Sequence, residues 1–171
     1  MLYESEKRNN DYLKYCVLSN ISLSYLLQHN YHDGIYAIEK INEKYSTDFD
    51  IILYKAICYY QVERIDEIKN NINDWLLICR KSRYHCEFLK GLKYLINGKE
   101  LKAIESIEKC YNLTIKNGEI DRGMLDLKVL EALYLKKEDK KKLEKIKQLE
   151  RKMFKICFAS SVLEDICLEL N

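Results

Sequence analysis

Gly91-Leu-Lys-Tyr94-Leu-Ile-Asn-Gly98, followed at Ala103-Ile104 by the start of a second apolar run, is the stretch on which the architecture turns. Gly91 and Tyr94, three positions apart, share one side of a helix, and Asn97-Gly98 supplies a left-handed helix end. Outward from it the same arrangement returns. Tyr25, Tyr59 and Tyr94 lie 34 and 35 residues apart, and three positions before each stands a small residue: Ser22, Ala56 and Gly91. In the segments that follow, Gly34, Ile68 and Ala103 keep step, with Ile38, Ile72 and Ile107 four residues further on. A period of this length marks stacked two-helix units, because one helical hairpin cannot bury its apolar face alone.

Composition agrees. The 171 residues include no Pro and five Gly, and 47% are apolar beside 33% charged. That is too apolar for a disordered chain and enough for a core, and the scarcity of Pro and Gly favours long helices. Leu18, Ile21, Ser22, Tyr25 and Leu26 recur at three-and-four spacing, as do Ile35, Ile38 and Ile41, then Ile52, Ala56 and Tyr59. Breaks at His29-Asn30, Ser46-Thr47-Asp48, Glu63-Arg64, Lys81-Ser82, Asn97-Gly98, Asn117-Gly118 and Lys137-Glu138-Asp139 carry cap and turn chemistry. They predict helices at about 10–28, 32–45, 48–62, 65–80, 83–97, 99–116, 119–136 and 139–157, with a short ninth at about 160–170. The expected organisation is one domain over residues 1–171, with clear repeats over 10–117 and a degenerate hairpin and cap over 119–170.

These residues resemble the tetratricopeptide repeat, a helix-turn-helix unit of about 34 residues with a small residue, a Tyr and a turn Gly in the first helix and an Ala in the second. The third repeat is closest, although Glu87 stands where a large residue opens the motif. The first keeps Ser22, Tyr25 and Gly34 with His29 in place of the turn Gly, and the second keeps Ala56 and Tyr59 with Glu63 and Ile68. The resemblance implies an all-α fold, a TPR-like superhelix of about four αα-hairpins with a C-terminal capping helix. It also implies a concave surface, lined by the first helix of each pair, that binds an extended peptide or a partner helix. Carried over repeat by repeat, the lining is Ser19, Leu23 and Leu26, then Leu53, Ile57 and Tyr60, then Phe88, Leu92 and Leu95. A carboxylate clamp of Lys, Asn and Arg is missing from these places, so a heat-shock cochaperone role is not expected. An apolar lining receives a hydrophobic peptide or amphipathic helix, or is covered by a second copy or by the chain's own Ser161-Val-Leu-Glu-Asp-Ile-Cys-Leu-Glu-Leu170. That last segment is expected to cap the array or to pair two chains.

No catalytic constellation stands out: there is no phosphate loop, nucleophile elbow or His-Glu-x-x-His run. The expectation is a non-enzymatic protein with no cofactor and no metal. His29 and His32 read as solvated turn residues, and His85-Cys86 as the packed start of the fifth helix, since adjacent helical residues point about 100° apart. The seven cysteines form no Cys-x-x-Cys pair and sit mostly in apolar runs, as buried free thiols do. Residues 136–155 carry ten basic and four acidic side chains, a net +6 against −4 for the remainder. This segment is the one hint of an acidic partner or of nucleic acid. Leu143, Ile146, Leu149 and Phe154 show that the same helix buries a face, and the total charge of +2 argues against nucleic acid as the main ligand. No apolar run is long enough to span a membrane, and Met1-Leu2-Tyr3-Glu4 leads into charges rather than an export signal, so the expected location is the cytoplasm. The function expected is protein or peptide recognition. The alternatives are a stand-alone peptide-sensing regulator, loosely similar to the repeat domains of Gram-positive pheromone receptors, and a client-holding chaperone.

Overall fold

A computed structural model describes residues 2–153. Every regular element in them is helical: α1 Leu2–Leu27, α2 Tyr31–Glu39, α3 Phe49–Gln61, α4 Ile65–Ile78, α5 Arg83–Ile96, α6 Glu100–Asn117, α7 Ile120–Lys136 and α8 over 140–153. Short 3-10 turns at Glu43–Tyr45 and Cys79–Lys81 follow α2 and α4. The all-α expectation holds for these residues. The ninth helix expected near 160–170, with Phe154, Cys157 and Cys167, lies outside them. Two boundaries differ from expectation. Helix α1 begins at Leu2 because residues 2–10 contain strong helix formers and no breaker. Helix α2 stops at Glu39, where Lys40 and Ile41 turn to the carbonyls of Ala37 and Ile38 and Asn42 then caps the 3-10 turn, its Oδ1 accepting from Lys44 N at 3.1 Å.

The chain divides into two compact units, residues 1–106 and 107–171. In the first, α1 packs on α2 and α3, α2 on α3, α3 on α4 and α5, and α4 on α5. A first helix therefore meets both its hairpin partner and the first helix of the next pair. The apolar sequence of α3 runs nearly all round the helix, and Ile51, Ile52, Leu53, Tyr54, Ala56, Ile57, Cys58 and Tyr59 are all buried. At about 1.5–3 kcal/mol for each large apolar side chain withdrawn from water, α3 is the helix this unit can least lose.

The repeat seen in the sequence has a backbone counterpart. Tyr25, Tyr59 and Tyr94 each offer their carbonyl to the amide five residues on, from Asn30 (2.8 Å), Arg64 (2.8 Å) and Lys99 (2.9 Å). Inside each of these, a bond spanning fewer residues runs from the amide of His29 to the Leu26 carbonyl, of Glu63 to Tyr60 and of Gly98 to Leu95. This is the Schellman helix ending, and its left-handed residue is His29 (φ 60°), Glu63 (φ 61°) and Gly98 (φ 68°) in turn. The small positions Ser22, Ala56 and Gly91 are buried, as are Gly34, Ile68 and Ala103 and, four residues later, Ile38, Ile72 and Ile107. At Gly34 the reason for smallness is explicit: an added Cβ would stand 3.0 Å from Cys58 Sγ and 3.7 Å from Tyr25 Cβ.

The other junctions in this unit use side-chain caps. Asp48 Oδ1 accepts from the amides of Asp50 and Ile51 at the start of α3, and Ser82 caps α5. One period apart, Asp50 and His85 are joined directly. His85 Nε2 is 2.9 Å from Asp50 Oδ1, its Nδ1 meets Ser82 Oγ, and the rings of Phe49 and Tyr84 flank the imidazole. His85 is buried, as the sequence implied, and its polarity is used to tie consecutive first helices.

The second unit is built differently. Helix α6 ends at Gly118 (φ 74°) and α7 at Glu138 (φ 56°), again with the six-residue bond, from Glu119 to Thr114 and Asp139 to Tyr134. These two turns follow each other after 20 residues, and no Tyr-with-small-residue pair marks them. Leu125, Leu127, Leu130, Leu133, Ile146 and Met153 form its apolar interior. Asp126 is wholly buried there and accepts from Thr114 Oγ1 at 3.2 Å.

Candidate functional site

Of the nine residues expected to line a groove, Leu26, Leu53, Ile57, Phe88 and Leu92 are buried in the chain. Ser19, Leu23, Tyr60 and Leu95 keep part of their surface. More than half of the expected lining is therefore covered within the chain itself. Helices that are apolar on most sides are covered on most sides, and in α3 and α5 those residues serve as core.

The apolar surface that does face solvent in the first unit lies on α1. Leu13 (62% exposed), Val17 (54%) and Ile21 (39%) follow one another at four-residue spacing, and Tyr12 (55%) adjoins them. Ser22, Leu26 and the less exposed Tyr15, Leu18 and Tyr25 lie on the other side of the helix. Exposed Asn10, Asn20 and Ser24 interleave the stripe, and the exposed Lys14 borders it beside Ile21. The edge of this face is held by aromatic stacking. Tyr15 lies against Tyr45 with centroids 4.4 Å apart, Tyr12 is 6.4 Å from Tyr45, and Lys44 Nζ reaches Asp11 at 3.0 Å. Burial, then the neighbouring Asp48 carboxylate, pushes the Tyr15 phenol far up from its ordinary range. The spacing of residues 13, 17 and 21 was legible in the sequence. Nothing local told which of two apolar sides of α1 would be turned inward.

The second unit holds a cleft of about 320 Å³, lined by Glu108, Tyr111 and Asn112 of α6, Leu130 and Tyr134 of α7, and Lys142, Lys145, Ile146 and Leu149 of α8. At its mouth Tyr134 donates to Glu108 Oε1, and Lys142 Nζ lies 3.0 Å from the Tyr134 hydroxyl and 3.4 Å from the same carboxylate. Burial, followed by the bond to Glu108, raises the Tyr134 phenol, and the Lys142 ammonium is raised chiefly by its bond to Tyr134. Sequence reasoning singled out the basic segment but not this cleft, since α6 brings Glu108 and Tyr111 from some thirty residues away.

The residues weighed for chemistry are placed as packing or turn groups. His29 Nδ1 lies 2.8 Å from the Tyr31 hydroxyl, and His32 is exposed. Among the described residues no three of His, Cys, Asp and Glu are grouped so as to hold a metal. Cys58, Cys79 and Cys110 are buried free thiols, and burial pushes Cys58 and Cys79 up to about 12, far from a reactive thiolate at neutral pH. No helix among the described residues is long and apolar enough to cross a membrane.

No protein-family model matches this chain, and neither does any curated protein or solved structure.

Proposed function

We propose that this chain is a non-catalytic recognition module of tetratricopeptide-like build, which binds an amphipathic helix of a partner protein on the apolar stripe of α1. The observation that carries the reading is the exposed apolar stripe of Leu13, Val17 and Ile21, with Lys14 at its edge. Its three residues span about 12 Å of helix axis, the length over which one partner helix offers three anchors at i, i+4 and i+7 spacing. Support for the tetratricopeptide-like build comes from the recurring Schellman endings, the buried small positions and the packing of each first helix on the next.

A photo-crosslinking amino acid at Val17, introduced into the full chain in its source cell, tests the reading. The expected adduct joins position 17 to the apolar face of a helix in another polypeptide, and Leu13→Asp with Ile21→Asp abolishes it. Adducts only to a second copy of the chain, or adducts that persist in the double variant, would remove the proposal. Circular dichroism of the variant checks that it remains helical, as expected for changes at exposed positions.

A further inference from the structure

We infer that the α6–α8 side of the second unit is a separate docking surface for an acidic peptide segment carrying one bulky apolar residue, with that residue in the cleft and its carboxylates along α8. Three observations carry this. First, α8 turns Ile146 and Met153 inward and leaves Lys140, Lys141, Lys145, Lys147, Arg151 and Lys152 exposed, and no carboxylate among the described residues pairs with these six. Of the nearby acids, Glu150 and Glu131 pair with Lys128, Glu119 with Arg122 and Glu108 with Lys142, which leaves Glu144 and Glu138 as the exposed carboxylates beside the row.

Second, the cleft borders this row. At about 100° per residue, Lys141, Lys145 and Lys152 fall on the edge of α8 next to Leu149, and Lys145 lines the cleft itself. Those three cations are spaced by about 6 Å and then about 10 Å along the axis, a reach that side chains of an extended peptide match. Third, the cleft has an apolar floor of Leu130, Ile146 and Leu149 beneath polar Tyr111, Asn112 and Tyr134. A cavity of about 150 Å³ already accepts a benzene ring, so 320 Å³ admits a Phe or Leu side chain with room for its backbone.

The charge pattern favours a peptide over nucleic acid. Glu144 stands in the middle of the exposed lysines and Glu108 at the mouth of the cleft, so a backbone with a phosphate at every step meets repulsion at both. A peptide carries carboxylates only opposite cations and an apolar group over the floor.

The test uses the full chain and a fluorescein-labelled peptide of about twelve residues, alternating Glu and Ser around a central Phe, followed by anisotropy. Binding is expected, weakening by about tenfold or more when Phe is replaced by Ser and again when Lys141, Lys145 and Lys152 are changed to Glu, and falling with added salt. These lysines are exposed, so the triple variant keeps its helical spectrum. The proposal is overturned by absence of binding, by equal affinity for the peptide without Phe, or by tighter binding of a poly-uridine strand of equal charge. It is also overturned if the probe binds much more tightly once Glu164, Asp165 and Glu169 are changed to Lys, which identifies the chain's own C-terminal residues as the occupant.

Discussion

The first unit alternates two kinds of helix junction, while the second repeats one. In residues 1–106 a Schellman ending at His29, Glu63 or Gly98 closes each hairpin, and a 3-10 turn with an Asp48 or Ser82 cap leads to the next. That alternation returns every 34 or 35 residues, and small residues return with it because helices meet closely at the same point of each pair. In the second unit the endings at Gly118 and Glu138 come 20 residues apart, and the helices are held by a buried Asp126, by Lys128 between Glu131 and Glu150, and by the Glu108, Tyr134 and Lys142 group. The lesson is that the turn and the packing are separable. The Schellman ending needs only a backbone that tolerates positive φ, whereas a repeating hydrophobic register needs small residues at fixed places.

The largest effect that separates the units is expected from Phe88→Ala. Phe88 is 1% exposed, so the substitution leaves a cavity in the first unit and costs about 3–5 kcal/mol. Urea titration should show an earlier loss of Trp75 fluorescence, since Trp75 is buried in that unit. If Trp75 fluorescence is retained to the wild-type midpoint, Phe88 is not core.

An intermediate effect is expected from alkali. Cys58 and Cys79 both belong to the first unit, with thiols raised from 9.0 to about 12, so the folded state holds these protons more tightly than the unfolded chain. Their contribution to stability is intact below about pH 9 and is lost as pH rises from there toward 12. Tyrosines in both units are raised as well, so the comparison that isolates the thiols is the pH slope of the urea midpoint in wild type against Cys58→Ala with Cys79→Ala. The variant should lose less stability per pH unit above 9, and parallel slopes would contradict the assigned burial.

The smallest effect concerns the turns shared by both units. Glu63→Gly should stabilise by about 1 kcal/mol, because a non-glycine residue at positive φ is strained, and Gly98→Ala should destabilise by about the same amount. No atom lies within 4 Å of a Cβ added at Gly98, so its change measures conformation alone. Shifts of the same sign in the two variants would mean that one of these loops does not adopt the left-handed residue.

Much of the fold was legible from particular residues. Asn97-Gly98 and Asn117-Gly118 announced left-handed endings, and His29 and Glu63 were placed at the same turn position by register although neither is glycine. Asp48 and Ser82 were visible as caps. The candidate surfaces were less legible. Leu53, Ile57, Phe88 and Leu92 satisfy the pattern of a groove and the pattern of a core equally well, and their burial settles that they pack inside. Leu13, Val17 and Ile21 satisfy the same pattern and remain outside.

Helix number, period, ends and the small positions between paired helices follow from chemistry within a few residues: backbone conformation, capping oxygens and the spacing of apolar groups along one turn. Which apolar face meets another helix, where Asp50 finds His85, and that Glu108, Tyr134 and Lys142 share one cleft mouth depend on segments brought together from far along the chain. Hydrophobic attraction has no direction of its own, so a stripe of Leu, Val and Ile encodes the need for a neighbour without encoding which neighbour it will be.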